Sequence, residues 1–219
     1  MARRPRIWIP DISVHVIQRG NNGGTIFTDT SDHEVFLDLL RLAAAHHRVS
    51  VHGFVQMTTH YHLLATPGDE HALPEAIKYL AGNYCQYYNR RHKRIGTLWA
   101  GRYRGLPILD ERYWLTCLRY IEQNPVRAHM VDAPDAYRWS SYRFHASGIG
   151  ADWLVEHAVY AGLGWTPELR QAAYKAICNV PLTEHELGLQ RHVRGQTLYE
   201  LPASSARAAS GSGTGLAAV

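Results

Sequence analysis

The chain has 219 residues, of which 46% are hydrophobic and 19% charged, and carries a formal net charge of +4 at pH 7. That balance excludes a disordered chain, and no apolar run approaches the roughly 18 residues that span a bilayer. The basic start MARRPRIWIPDIS lacks the apolar core of a secretion signal, and Cys85, Cys117 and Cys178 are far apart with no CxxC spacing, so a cytoplasmic protein with reduced, buried thiols is expected.

Residues 15–20, HVIQRG, predict a strand that ends in the turn GNNGG, where β-branched residues give way to residues that tolerate positive φ. A helix follows, with Ser31 as candidate N-cap, Glu34 three residues on, and Val35, Phe36, Leu39, Leu40 and Leu42 as its apolar stripe. VHGFVQM and HYHLLAT form a tight antiparallel hairpin joined at Thr58-Thr59. A second helix runs from about Leu73 to His92, with Leu73, Ile77, Leu80 and Tyr84 at helical spacing. GTLWAGRYRGLPIL reads as extended, after which Asp110 caps a third helix that buries Trp114, Leu118 and Ile121 and stops near Pro125. The order β-α-β-β-α-β plus a closing helix predicts an α+β fold, a ferredoxin-like split βαβ antiparallel sheet with helices on one face.

Residues 1–146 would form this unit. Beyond it WLVEHAVYAGLGW, PELRQAAYKAI and TEHELGLQRHV suggest three short helices in a C-terminal accessory region, 147–202, the last opening with a capping box at Thr183 and Glu186. Residues 203–219 are Ala/Ser/Gly-rich and are expected to be disordered.

Two spacings point to chemistry. On a strand, alternate side chains share a face, so His60, His62 and Leu64 point one way and Tyr61, Leu63 and Ala65 the other. The HxH spacing therefore brings two imidazoles to one spot, where together with a carboxamide they can hold a divalent cation and leave positions open. With 14 histidines in the chain, surface or hydrogen-bonded core histidines account for the same pair. His46 and His47 diverge on a helix, and His15, His52, His92 and His129 stand alone.

On the third helix Tyr113, Tyr120 and Asn124 cluster on a flank of the buried stripe, which centres opposite Arg119 and Gln123. Tyr120 and Asn124 lie one turn apart, so a cation bound partly by Asn124 would sit within reach of the Tyr120 hydroxyl, a plausible nucleophile toward a phosphodiester. The alternative is that Tyr120 packs at the core edge and Asn124 ends the helix before Pro125.

Between Ala76 and Leu109 there is no Asp or Glu, yet Lys78, Arg90, Arg91, Lys93, Arg94, Arg102 and Arg104 all occur, interleaved with Tyr79, Tyr84, Tyr87, Tyr88, Trp99 and Tyr103. Cations for phosphates beside rings for unpaired bases suit single-stranded or hairpin nucleic acid; the alternative is a solvated helix end with core aromatics.

With HVIQRGNN, HYHLL, NYCQYYNRRHKRIGTLWAGRYR, YIEQNPVRAHMV and YRWSSYR in view, the chain from about residue 3 to residue 144 resembles the single-tyrosine HUH transposases, and among them the REP-associated tyrosine transposases of bacteria. The resemblance implies a ferredoxin-like fold, metal ligands at His60, His62 and Asn124, and Tyr120 as the catalytic tyrosine. It further implies Mg²⁺ or Mn²⁺, no nucleotide cofactor and a palindromic hairpin DNA with a single-stranded foot. The reaction would be strand transfer through a 5′-phosphotyrosine, by a monomer or a homodimer. Arg90, Arg91, Lys93, Arg94, Arg102 and Arg104 would meet phosphates, with Trp99 or Tyr103 as stacking partners. A domesticated hairpin-binding protein without turnover, and a phosphodiesterase that uses water, are the competing readings. One departure stands out: relatives commonly carry Pro-Asn just before the first histidine, where this chain has Thr58-Thr59.

Overall fold

A computed structural model of the chain describes residues 8–184 and Glu186. Four strands, β1 (Val14–Arg19), β2 (Val49–Met57), β3 (His60–Pro67) and β4 (Arg104–Pro107), form one sheet in the order β2-β3-β1-β4. Every neighbouring pair is antiparallel. The β2–β3 hairpin closes at Thr58-Thr59, with Met57 opposite His60.

Strand alternation sorts the sheet into two faces. Val14, Val16, Val51, Phe54, Tyr61, Leu63 and Ala65 belong to a core completed by α1 (Thr30–His46) and α2 (Ala72–Arg91), which contribute Phe36, Leu40, Leu73, Ile77, Leu80 and Tyr84. Val55, Met57 and Leu64 face the other way, against Trp114, Leu118 and Ile121 of α3 (Glu111–Glu122). Each such side chain contributes roughly 1.5–3 kcal/mol by leaving water. The approach of α3 is close: a Cβ at Gly53 would lie 2.4 Å from Leu118 Cδ1.

The α+β class and the antiparallel sheet are as expected. The single covered face holds for α1 and α2 alone, because α3 lays its apolar stripe on the opposite face. Two local expectations also change. Asp29, not Ser31, caps α1, accepting from the Ser31 and Asp32 amides, since its carboxylate reaches two orphan donors at once. Within GTLWAGRYRGLPIL only Arg104–Pro107 is strand, with an isolated bridge from Trp99 to Gly20. Asp110 caps α3 as expected, accepting from the Tyr113 amide.

After α3 come α4 (Asn124–Arg127), α5 (Tyr142–Ser147), α6 (Ala158–Ala161) and α7 (Pro167–Cys178). Tyr160, Tyr174 and Cys178 share a core with Trp114 and Leu118, so these helices pack directly behind α3. The Thr183–Glu186 capping box is formed, with the Glu186 amide donating to Thr183 Oγ1 and the Thr183 amide donating back to Glu186 Oε2. The rest of that helix and the tail 203–219 lie outside the described residues. Among the described residues no helix is long and apolar enough to cross a membrane.

Candidate active site: a histidine pair under a tyrosine helix

The face of the sheet beneath α3 carries the polar residues of interest. Ile17 of β1 pairs with both His62 and Arg104, and Arg19 pairs with His60, so these side chains project from one face. His62 is fully buried, whereas His60, next to the hairpin turn, is half-buried. Their rings meet edge to face, 5.2 Å between centroids. Thr59 Oγ1 lies 3.2 Å from His60 Nδ1.

Tyr120 hangs from α3 beside His62 and His15. Its ring centroid lies 5.9 Å from that of His62 and 6.1 Å from that of His15, both at steep angles. Asn124, one turn further on, donates from Nδ2 to the Tyr120 carbonyl at 2.9 Å, which commits its amide nitrogen and leaves the oxygen as its donor toward a cation. The Arg127 guanidinium lies over the Tyr120 ring, 5.0 Å from its centroid. His62 thus touches both His60 and Tyr120 within one chain, with Asn124 bonded to the tyrosine's own backbone.

Buried bonds on both sides of α3 fix its seat. Trp114 Nε1 donates to Ser13 Oγ on the sheet side. Arg119 reaches the Val180 carbonyl, Gln123 the Cys178 carbonyl, and Glu122 gathers Ser141, His145 and Tyr174. Arg119 and Gln123, which the helix pattern places opposite the buried stripe, are buried as well, because the C-terminal helices cover that side.

The donor chemistry fits a divalent cation. Two imidazoles and an amide oxygen are neutral ligands of the kind Mn²⁺ accepts and Mg²⁺ tolerates, with room for substrate oxygens. His62 Nδ1 is engaged by His15 Nε2 at 2.8 Å, so this ring would meet a cation through Nε2. Among the described residues no group of three or more His, Cys, Asp or Glu side chains is arranged to hold a metal ion.

The basic stretch divides. Arg90, Lys93, Arg94, Arg102 and Arg104 are exposed. The loop after α2 is held in shape by the Arg94 amide on the Asn89 carbonyl and by Asn89 Nδ2 on the Gly96 carbonyl, and the Arg94 guanidinium lies 5.6 Å over the Tyr88 ring. Arg91 forms a double ion pair, 2.6 Å from Asp29 and 2.7 Å from the fully buried Asp32, so phosphate contact would require breaking it. Trp99 and Tyr103 correct the stacking expectation: both are buried, Trp99 donating to the Ala81 carbonyl and Tyr103 accepting from Trp8 Nε1. Tyr84 and Tyr88 likewise point inward, onto the Ile26 and Thr25 carbonyls.

Sequence reasoning missed three residues. His15 and Arg19 share the histidine face, and period-two alternation through HVIQR, aligned with HYH, is the signal that could have found them. Arg127 was hidden by the break at Gln123, after which the chain re-enters a helix at Asn124 with Pro125 in its first turn and brings the guanidinium back over Tyr120.

A family model described as IS200-like transposase matches residues 9–124. The solved structure of a REP-associated tyrosine transposase bound to a REP hairpin superposes with a TM-score of 0.53 at 16% identity, over 73% of this chain and 93% of that one, a likeness of fold. A transposase candidate from Deinococcus radiodurans gives a TM-score of 0.39 at 19% identity, over 51% of this chain and 89% of its own. No curated protein matches the chain.

Proposed function

The chain belongs to the IS200-like transposase family, and on that footing we propose that it nicks and rejoins single-stranded DNA at the foot of a hairpin through a covalent bond to Tyr120. The observation that carries the reading is the Tyr120 ring 5.9 Å from His62 in the same chain, with Asn124 tied to the tyrosine one turn on.

His60, His62 and Asn124 would hold Mg²⁺ or Mn²⁺, which when bound supplies Lewis-acid polarisation of a phosphate oxygen. Tyr120 Oη attacks phosphorus in line, the bond to the 3′ oxygen breaks, and a 5′-phosphotyrosyl enzyme and a free 3′-hydroxyl result; the phenol gives up its proton and the leaving oxygen gains one. Attack by another 3′-hydroxyl on the phosphotyrosine reverses the step and joins strands, with no nucleotide cofactor because the phosphodiester energy is kept. Arg127, stacked on the nucleophile's ring, sets a cation beside the position where negative charge grows on the phosphate. Arg90, Lys93, Arg94, Arg102 and Arg104 neutralise the phosphates of the bound strand. The contact of His62 with Tyr120 within one chain supports a reading in which a monomer carries out this chemistry.

The solved neighbour was bound to a REP hairpin, which makes a palindromic hairpin with a short single-stranded foot the substrate to try. Incubating the protein with such a labelled hairpin and Mn²⁺, followed by a denaturing gel, tests the reading. A DNA–protein adduct that disappears in Tyr120→Phe is the expected result. Cleavage without adduct would point to hydrolysis by water, and binding without cleavage to a recognition module; either refutes strand transfer.

A further inference from the structure

We infer that His15 is the residue that orients His62 for metal binding, by accepting a hydrogen bond from its Nδ1. The inference rests on the ligand role proposed above for His62.

His15 sits on β1 diagonally across from His62: its direct partners are Leu64 on β3 and Leu106 on β4, while His62 pairs with Ile17. Diagonal neighbours on one face are within reach of long side chains. Here the reach is used. The His15 and His62 rings stack at 22° with centroids 5.1 Å apart, and Nε2 of one lies 2.8 Å from Nδ1 of the other. Both rings are fully buried.

A neutral imidazole carries one proton, so the two nitrogens of His62 cannot both present lone pairs and both donate. A cation taken at Nε2 requires the proton on Nδ1, and that proton, buried from water, needs an acceptor. His15 Nε2 stands at that place, which requires His15 to carry its own proton on Nδ1. The two tautomers are therefore linked: donation from His62 to His15 is the arrangement in which Nε2 of His62 is a ligand. The setting argues against packing alone as the reason for a histidine at this position. Between Leu64 and Leu106 an aliphatic side chain would fill the space without the cost of burying a polar ring. Metal-ligating histidines are commonly held in this way by a partner on the second nitrogen, and loss of that partner weakens metal affinity about 10–100-fold.

The test compares three substitutions in the full chain. Glutamine at His15 offers an oxygen near the position of Nε2, leucine offers none, and asparagine is polar but too short to reach. Mn²⁺ alone is titrated into each protein, with binding read from the electron paramagnetic resonance signal of free Mn²⁺ and from calorimetry, and with thermal melting in EDTA as the check on folding. His15→Leu is expected to weaken Mn²⁺ binding about 10–100-fold and His15→Gln to stay within about threefold of wild type. Hairpin binding in EDTA is expected to be unchanged in both. If His15→Leu does not fold, His15→Asn takes its place with the same expected loss. Mn²⁺ affinity equal to wild type in His15→Leu, or a loss in His15→Gln as large as in His15→Leu, overturns the role of His15 while leaving the metal site standing. Absence from the wild type of any Mn²⁺ site that His60→Ala removes overturns the ligand reading, and the role of His15 with it.

Discussion

Replacing Tyr174 by Phe tests how the tyrosine helix is held. The Tyr174 hydroxyl donates to Glu122 Oε2 at 2.6 Å, while Oε1 of the same carboxylate takes Ser141 Oγ and lies 2.7 Å from His145 Nδ1. Glu122 and Tyr174 are both fully buried, so water does not replace a missing donor. Burial first, and then the adjacent Glu122 charge, hold the Tyr174 phenol well above its ordinary value, which keeps the proton on the oxygen that must donate it. Phenylalanine keeps the ring and its contacts with Tyr142 and Tyr160. What disappears is one hydrogen bond to a charged group, about 1.5–3 kcal/mol. In a domain of this size each kcal/mol moves Tm by about 2–4 °C, so the melting point should fall by about 3–12 °C. Urea denaturation should show a lower midpoint at unchanged slope, since the surface exposed on unfolding is the same. Adduct formation, measured at a temperature where both proteins are folded, should stay near wild type, because Tyr174 meets α3 at Glu122 and not at the nucleophile. A stability change under about 0.5 kcal/mol would refute the view that this carboxylate anchors α3.

Acid should destabilise the fold through His52, whose ring lies 2.7 Å from the Val155 carbonyl and 2.8 Å from Thr66 Oγ1. Burial lowers it from 6.5 to about 4. The unfolded ring takes up its proton near pH 6.5 and the folded ring only near 4, so stability is full above that window and falls within it by up to about 3 kcal/mol; unfolding curves at several pH values check this, and an unchanged pH slope in His52→Asn would contradict it. Arg127→Ala should slow adduct formation about 10²–10³-fold while hairpin binding falls far less; an equal loss in both would reduce Arg127 to a general phosphate contact. Arg90→Ala should lower the salt-dependence slope of hairpin binding by about 1. Arg91→Ala should leave that slope alone and lower the melting temperature, since it strips the buried Asp32 of a charged donor; the reverse pattern in salt titrations and melts would show that Arg91 leaves Asp29 and Asp32 for DNA.

Local pattern sufficed for the elements. Period-two alternation in HYHLLAT sets His60 and His62 on one face whatever the rest of the chain does, and Asp110 before a stripe of Trp114, Leu118 and Ile121 caps and orients α3. Helical spacing put Tyr120 and Asn124 one turn apart, and the structure adds the bond between them. Such features depend on residues within a few positions of one another. The aromatic half of the basic stretch misled for the opposite reason: a ring is as suited to a core as to a base, and Trp99 and Tyr103 went inward because α2 and Trp8 offered them partners.

Composition and spacing were enough for the class of fold, the two chemical pairs and the cationic character of residues 76–109. Folding alone selected which pieces meet: α3 crossing the second face of the sheet to bring Tyr120 over His62, His15 arriving by strand pairing, Arg91 drawn to Asp29 and Asp32, and the C-terminal helices burying Arg119, Glu122 and Gln123. Periodicity is a property of the chain's own geometry, whereas these contacts join residues tens of positions apart, whose pairing is set by which surfaces must leave water together.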